Sequence, residues 1–266
     1  MIRTTCAACL VLICCAGVFG CAHTPTIADE VDDAVGGPLW RDKRGLHARI
    51  TVTPVGGATF AGTLLYQASS HRMVVERLMD GALEQVGYSD NRVWTRGVPL
   101  DEWQPWTQAM LFASFLPAPF DLHDPNVNVR ELASMQLGDQ TFRVGLINKT
   151  SEGERWAICI SPSDKLPAAL MPLAKRAVRK GNYLGPDAIP VTRGYAVRYE
   201  EISFVEGVAL PTHWLVWNWD SRHGVTGAPI AAVVISEASF GDPDPSGFAQ
   251  GQNYRDVFDS SGRWWR

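Results

Sequence analysis

The sequence has few of the features that staple a domain or announce a chemistry. Of its six cysteines, five fall at or before position 21 and only Cys159 lies beyond it. No disulfide can therefore form within residues 22–266, and that part of the chain must be held by burial of apolar side chains. Blocks of basic residues are missing. Lys and Arg total 24 against 28 Asp and Glu, a net charge of −4, which argues against nucleic acid as a partner and against a polybasic patch for anionic lipid. There is no G-x-S-x-G elbow, H-E-x-x-H pair, phosphate-binding loop or dinucleotide fingerprint. The six histidines (23, 47, 71, 123, 213 and 223) stand singly, and no cofactor or metal is implied. No repeat at a solenoid or propeller period stands out.

What is present begins at the front. Arg3 is followed by an uncharged run from Thr4 to Gly20, an export signal whose apolar core is too short for a comfortable membrane span. It ends Val18-Phe19-Gly20-Cys21, which resembles the lipobox of bacterial lipoproteins. That resemblance implies removal of residues 1–20 and acylation of Cys21 by palmitate-type chains, anchoring the chain to a membrane. Alanine rather than aspartate at position 22 implies the outer membrane, with the protein facing the periplasm. Residues 21–38, small, acidic and flanked by Pro and Gly, read as the lipidated end and a tether.

From Leu46 the apolar pattern has period two. Leu46, Ala48, Ile50 and Val52 alternate with His47, Arg49, Thr51 and Thr53, a half-buried strand. Further strands are expected over 58–67, 71–79, 83–88 and 93–95, with Asp80-Gly81 as a hairpin turn. The connections are too short for parallel crossovers, so the sheet is antiparallel. Strand patterns return at 142–146 and 155–161. They return again in a long hairpin, 195–205 and 208–220, turning at Glu206-Gly207, and then over 230–240. Residues 120–136 read as irregular. Two helices are expected. One runs from Asp101 to Leu116, apolar on several faces and stopped by Pro117 and Pro119. The other spans Ser163 to Lys180, with Pro167 and Pro172 shortening or kinking it. The expected fold is α+β: a mainly antiparallel curled sheet, an unclosed β-barrel, with two or three helices over its concave side. The domain would cover residues 39–240, and residues 241–266 form a Gly/Pro-rich tail.

Candidate chemistry is sparse. Cys159 lies in an apolar run and reads as a core residue. His213, Asp220 and His223 match no standard metal spacing. Glu200 and Glu201, as strand neighbours, face opposite ways. The ten tryptophans are the stronger signal. Most fill a core, but aromatics on alternating strands beneath an apolar helix also build an apolar cavity wall. Its candidate lining residues are Trp94, Trp103, Trp106, Met110, Phe142, Trp156, Trp217 and Trp219.

The order of elements from Tyr66 to Val234 resembles the LolA/LolB-like group of envelope proteins. The resemblance is carried by Val93-Trp94, the proline-ended stretch Trp106–Phe120, and Tyr195–Pro211 with its Glu200-Glu201 and Gly207-Val208-Ala209-Leu210-Pro211. It implies an unclosed barrel that carries lipoproteins or other acylated ligands in an apolar concavity, without catalytic residues. No protruding apolar loop of the kind a membrane-inserting acceptor would use is evident. The expected function is an envelope-anchored, non-enzymatic lipoprotein binding a lipid or acylated ligand. The alternatives are an envelope hydrolase or sugar-polymer-binding protein, for which Glu200, Glu201, His123 and Asp124 would have to share a cleft, and a tethered structural domain that binds another protein.

Overall fold

A computed structural model describes residues 24–43, 45–89, 92–98, 109, 112–137, 139–149, 154–173, 193–220, 223–242, 244–248 and 255–256. Two short helices come first, α1 (Ile27–Val35) and α2 (Gly37–Asp42). They are followed by strands β1 (Gly45–Pro54), β2 (Phe60–Gln67), β3 (Arg72–Met79), β4 (Ala82–Ser89) and β5 (Arg92–Arg96). A 3₁₀ segment, Ala118–His123, leads into β6 (Val127–Leu137), β7 (Gln140–Lys149), β8 (Glu154–Ile160) and β9 (Pro167–Pro172). The chain continues through β10 (Arg193–Val205), β11 (Val208–Asp220) and β12 (Gly224–Gly241) to a two-residue β13 (Arg255–Asp256).

The 13 strands among the described residues form one antiparallel sheet in the order β13-β5-β4-β3-β2-β1-β12-β11-β10-β9-β8-β7-β6. The ends of that order do not meet, so the barrel is unclosed, as the sequence pattern implies. Positive φ at Asp80 and Gly81, and again at Glu206 and Gly207, gives the tight primed turns that suit the twist of two antiparallel strands. Burial along β1 alternates from Leu46 to Val52 as expected. The even-numbered side chains face the main core.

Three expectations need correcting. Residues 22–38 are not simply a tether, because the chain is helical from Ile27. Thr26 accepts from Asp29 N–H and the Asp29 carboxylate accepts from Thr26 N–H, a reciprocal cap. Ile27, Val31 and Val35 recur on one face of α1 and are buried. The acidic character of the stretch hid this three-to-four spacing. The helix expected from Ser163 is instead a turn and a strand over its described part, β9. Pro167 and Pro172, both without an N–H, bound an apolar run of only six residues including themselves, too short for a helix but long enough for a strand covered on both faces. Residues 120–136 are not irregular either. They hold most of β6, an edge strand whose half-buried Val127, Val129, Leu132, Met135 and Leu137 pack against the cores. These residues are spaced by two, three, three and two, so the alternation slips phase, once at the register shift between Leu132 and Met135, and does not read as a regular half-buried strand. Of the expected helix 101–116, only 109, 112 and 113 are described as helical, and their side chains are buried.

The tail beyond Gly241 returns to the sheet. Arg255 and Asp256 pair with Thr95 and Trp94, and Phe248 is buried against Trp94 and Val74 on the outer face. Trp94 lies flat across Gly87, where a Cβ would come within 2.1 Å of the indole, so this packing requires glycine. Among the described residues no helix is long and apolar enough to cross a membrane.

Trp40 of α2 joins three elements. Its ring stacks on Phe120 at 4.2 Å and on Tyr66 at 5.4 Å, and meets Phe240 edge-on at 6.0 Å. Replacing Trp40 by Ala is expected to lower the unfolding free energy by about 3–5 kcal/mol, read as a drop in the urea midpoint with the slope unchanged. Loss of less than about 1 kcal/mol would show that α2 is not part of the cooperative core.

Candidate functional site

The concave face is apolar from one side of the sheet to the other. Its floor is built by Tyr66, Ile50, Trp214, Val216, Val197 and Ile158, all at most 2 % exposed. This follows from period-two patterning, since each strand turns one row of side chains inward. Over the floor lie separate short segments rather than a second sheet. They are α1, α2, residues 112–116 and the 3₁₀ segment, which place Val31, Val35, Trp40, Phe112, Phe115 and Phe120 in the same core. The expected open hollow is thus occupied, among the described residues, by the chain's own side chains. Tyr199 donates its hydroxyl to the Phe115 carbonyl at 2.9 Å and pins that segment to the floor. Burial pushes the Tyr199 hydroxyl far above its ordinary range, so it stays a donor. Trp214 Nε1 in the floor is buried and, among the described residues, meets no acceptor. A buried donor left so costs about 1–3 kcal/mol.

The lid segments are joined to the sheet and to each other through polar contacts at the rim. Arg143 of β7 bridges Glu30 of α1 and Glu131 of β6, and Lys165 Nζ lies 3.5 Å from Glu30. His123 Nε2 is 3.4 Å from Asp29. Arg41 holds Asp32 with both guanidinium nitrogens, at 2.6 and 2.9 Å, tying α2 to α1. Lys43 reaches Glu206 in the β10–β11 turn. His71 lies 3.2 Å from the Tyr66 hydroxyl and within 3.9 Å of Asp121 and 3.7 Å of Asp124.

The expected lining residues separate by face. Trp156 belongs to the concave side, where it packs against the main core and meets Phe115 edge-on at 5.7 Å. Trp94, Phe142, Trp217 and Trp219 do not line it. Trp94 packs under Phe248 on the outer face. Phe142 and Trp219 belong to a second outer cluster with Val144, Cys159 and Met171. Trp217 pairs across the ladder with Ala196 of that cluster and carries the Arg198 guanidinium 5.9 Å above its ring. Both faces of these strands are apolar in part, so alternation alone did not say which face looked inward. Trp103, Trp106, Met110 and Cys21 lie outside the described residues. Sequence reasoning passed over Trp40, Phe120, Tyr199 and Trp214. The signal for Trp40 was present in the three-to-four spacing of Ile27, Val31 and Val35 just before it.

The other candidate groups do not assemble. Glu201 lines a shallow trough of about 450 Å³ on the outer face with His213 and Glu237. Glu200 accepts from Arg198 at 2.6 Å. His123 and Asp124 belong to the lid, so the four groups share no cleft. His223 bonds Asp220 at 3.0 Å, but His213 lies seven residues back along β11, roughly 23 Å at strand spacing. Cys159 is buried, which pushes its thiol up to about 11 and makes it a poor nucleophile. One feature was overlooked. Leu78, Met79 and Leu83 flank the Asp80-Gly81 turn and are 70, 43 and 39 % exposed, an apolar hairpin tip.

No family model matches the sequence, and no curated protein does. Solved structures place the fold. A LolA superfamily protein from Nitrosomonas europaea aligns at a TM-score of 0.51 and 11 % identity, over 85 % of this chain and 99 % of its own. A DUF1329 family protein from Desulfovibrio piger aligns at 0.43 and 9 %, over 85 % and 100 %. An outer membrane lipoprotein-sorting protein domain from Vibrio parahaemolyticus aligns at 0.39 and 10 %, over 82 % and 97 %. The fold is LolA-like, and at these identities the likeness concerns the fold alone.

The rim cluster has a pH signature. Arg143, hydrogen-bonded to both, holds the Glu30 and Glu131 carboxyls below their usual range. Their folded-state values are depressed, so the stabilisation is complete at neutral pH and fades as pH falls through and below about 4. Between pH 5 and pH 3 the urea midpoint of the native chain should therefore fall more steeply than that of Arg143→Ala. Parallel curves would contradict this.

Proposed function

We propose that this protein is a lipoprotein of the bacterial envelope, acylated at Cys21, that binds a lipid or acylated ligand on the concave face of its half-barrel and performs no catalysis. The observation that carries the reading is the way the floor is covered. An apolar surface spanning most strands of the sheet is closed by short segments that reach it through the rim pairs, not by a second sheet or a disulfide. A cover of that kind is replaceable, because an acyl chain offers the floor the same apolar contact at about 0.8 kcal/mol per methylene.

The ligand takes the place of lid side chains and does not fill a standing void. Trp156 and Trp214 are the wall residues that the described part of the site supports. Trp103, Trp106 and Met110 complete the wall in this proposal from the segment 101–111. Trp214 Nε1 gives the floor one directional group, suited to an ester or carboxyl oxygen of the ligand. The Val18–Cys21 pattern supports the anchor, and Ala22 supports the outer membrane with the domain in the periplasm.

The test uses the mature protein. Mass spectrometry of a solvent extract should reveal co-purified acyl lipid, and a fluorescent fatty acid should bind saturably. Trp214→Phe keeps the apolar area and removes the donor, and should weaken that binding about 3- to 10-fold, the worth of one hydrogen bond. Absence of both lipid and saturable binding would leave the filled concave side as a plain core. That result would favour the second reading, a tethered domain that binds another protein through exposed apolar surface such as Leu78, Met79 and Leu83.

A further inference from the structure

The link between anchor and domain is far shorter than the sequence led one to expect. The first turn of α1 belongs to the folded body. Thr26 is locked into the reciprocal cap with Asp29, Ile27 and Ala28 are 3 and 7 % exposed, and Asp29 and Glu30 are tied to His123, Arg143 and Lys165. Only Ala22 to Pro25 separate Thr26 from Cys21. Fully extended, the step from Cys21 to Thr26 spans at most about 18 Å, and the headgroup layer takes up roughly 5–7 Å of that. The body has a radius of gyration of about 18 Å and so is more than roughly 40 Å across. A leash that short cannot pass around it.

We infer that the bilayer holding the Cys21 anchor is a standing partner of one fixed surface of the domain, the side on which α1 begins. This rests on the acylation of Cys21 proposed above. The groups next to the start of α1 define the surface. They are the exit of the 3₁₀ segment at His123–Asn126, the β8–β9 loop carrying Lys165, and the unclosed β6 margin at Glu131. Pro125, Asn126, Pro162, Ser163 and Asp164 are exposed there. Small polar residues and prolines suit contact with headgroups and not insertion into hydrocarbon. The seam between α1 and the open margin then faces the membrane, and an acyl chain passes between bilayer and floor at that seam without crossing open water.

The experiment uses the full acylated chain in vesicles of phosphatidylethanolamine and phosphatidylglycerol, some carrying a nitroxide on the headgroup. A fluorophore is placed at Asn126→Cys or at Val55→Cys. Val55 lies past the far end of ten-residue β1, about 33 Å from the end that α2 joins. Neither native cysteine interferes: Cys21 is acylated, and Cys159 is buried with a raised thiol. Quenching at position 126 should exceed that at 55 several-fold. Inserting a 20-residue Gly/Ser segment, about 25 Å in mean reach, after Ala22 should bring the two close together. Equal quenching in the native chain, or no response to the insertion, overturns the inference. Intact-mass analysis of the same preparation separates the two claims. Without acyl mass on Cys21 both fail, whereas acylation with equal quenching defeats the fixed surface alone.

Discussion

An unclosed sheet has an apolar inner face that water would otherwise wet, and the rest of the molecule is arranged around keeping it dry. A closed barrel solves that problem by curling until its strands meet, and a sandwich solves it with a second sheet. Among its described residues this chain does neither. It covers the face with pieces of itself: two short helices from its beginning and a 3₁₀ segment with the residues before it. The tryptophan of α2, stacked between Tyr66 and Phe120, is the point where these pieces and the floor are locked together. The charged groups do little of the holding individually, since exposed pairs are worth about 0–1 kcal/mol each, but they fix where each piece lands.

The outer face is handled separately. Trp94 and Phe248 make one patch and Phe142, Cys159 and Trp219 another, so several strands are apolar on both sides. The returning tail covers the first patch and adds β13 beside β5, shielding an edge that would otherwise offer unpaired backbone groups to another chain. The β6 edge has no such cover among the described residues. Between its half-buried apolar residues it exposes Arg130, Glu131 and Gln136, the charged and polar dress that discourages edge pairing.

Much of the sheet was legible because its information is local. Period-two alternation in 46–53, the Asp80-Gly81 and Glu206-Gly207 turns, and the long hairpin they define all follow from neighbouring residues. The failures were of two kinds. Where the alternation of a strand slips phase at a register shift, as in β6, or where a strand is buried on both faces, as β9 is, the period-two signal is lost and the segment reads as loop or helix. Where both faces of a strand are apolar, sequence cannot say which looks inward, and Trp94, Phe142, Trp217 and Trp219 were consequently assigned to a wall they do not line. The helix α1 was masked by composition. Its acidic residues look like a tether, although Ile27, Val31 and Val35 are spaced for a buried stripe. The candidate site was legible as a kind of surface, apolar and concave, but not as residues, because Trp40, Tyr199 and Trp214 become a site only through long-range pairing.

If ligand and lid compete for one floor, binding must release the lid. The direct measurement is hydrogen exchange across residues 27–42 in the mature protein, with and without a saturating long-chain fatty acid. The account predicts faster exchange in α1 and α2 when the ligand is present, while β1, β11 and β12 keep or gain protection. Unchanged or slower exchange in those two helices at saturation would contradict it, because the floor would then still be covered by the chain itself.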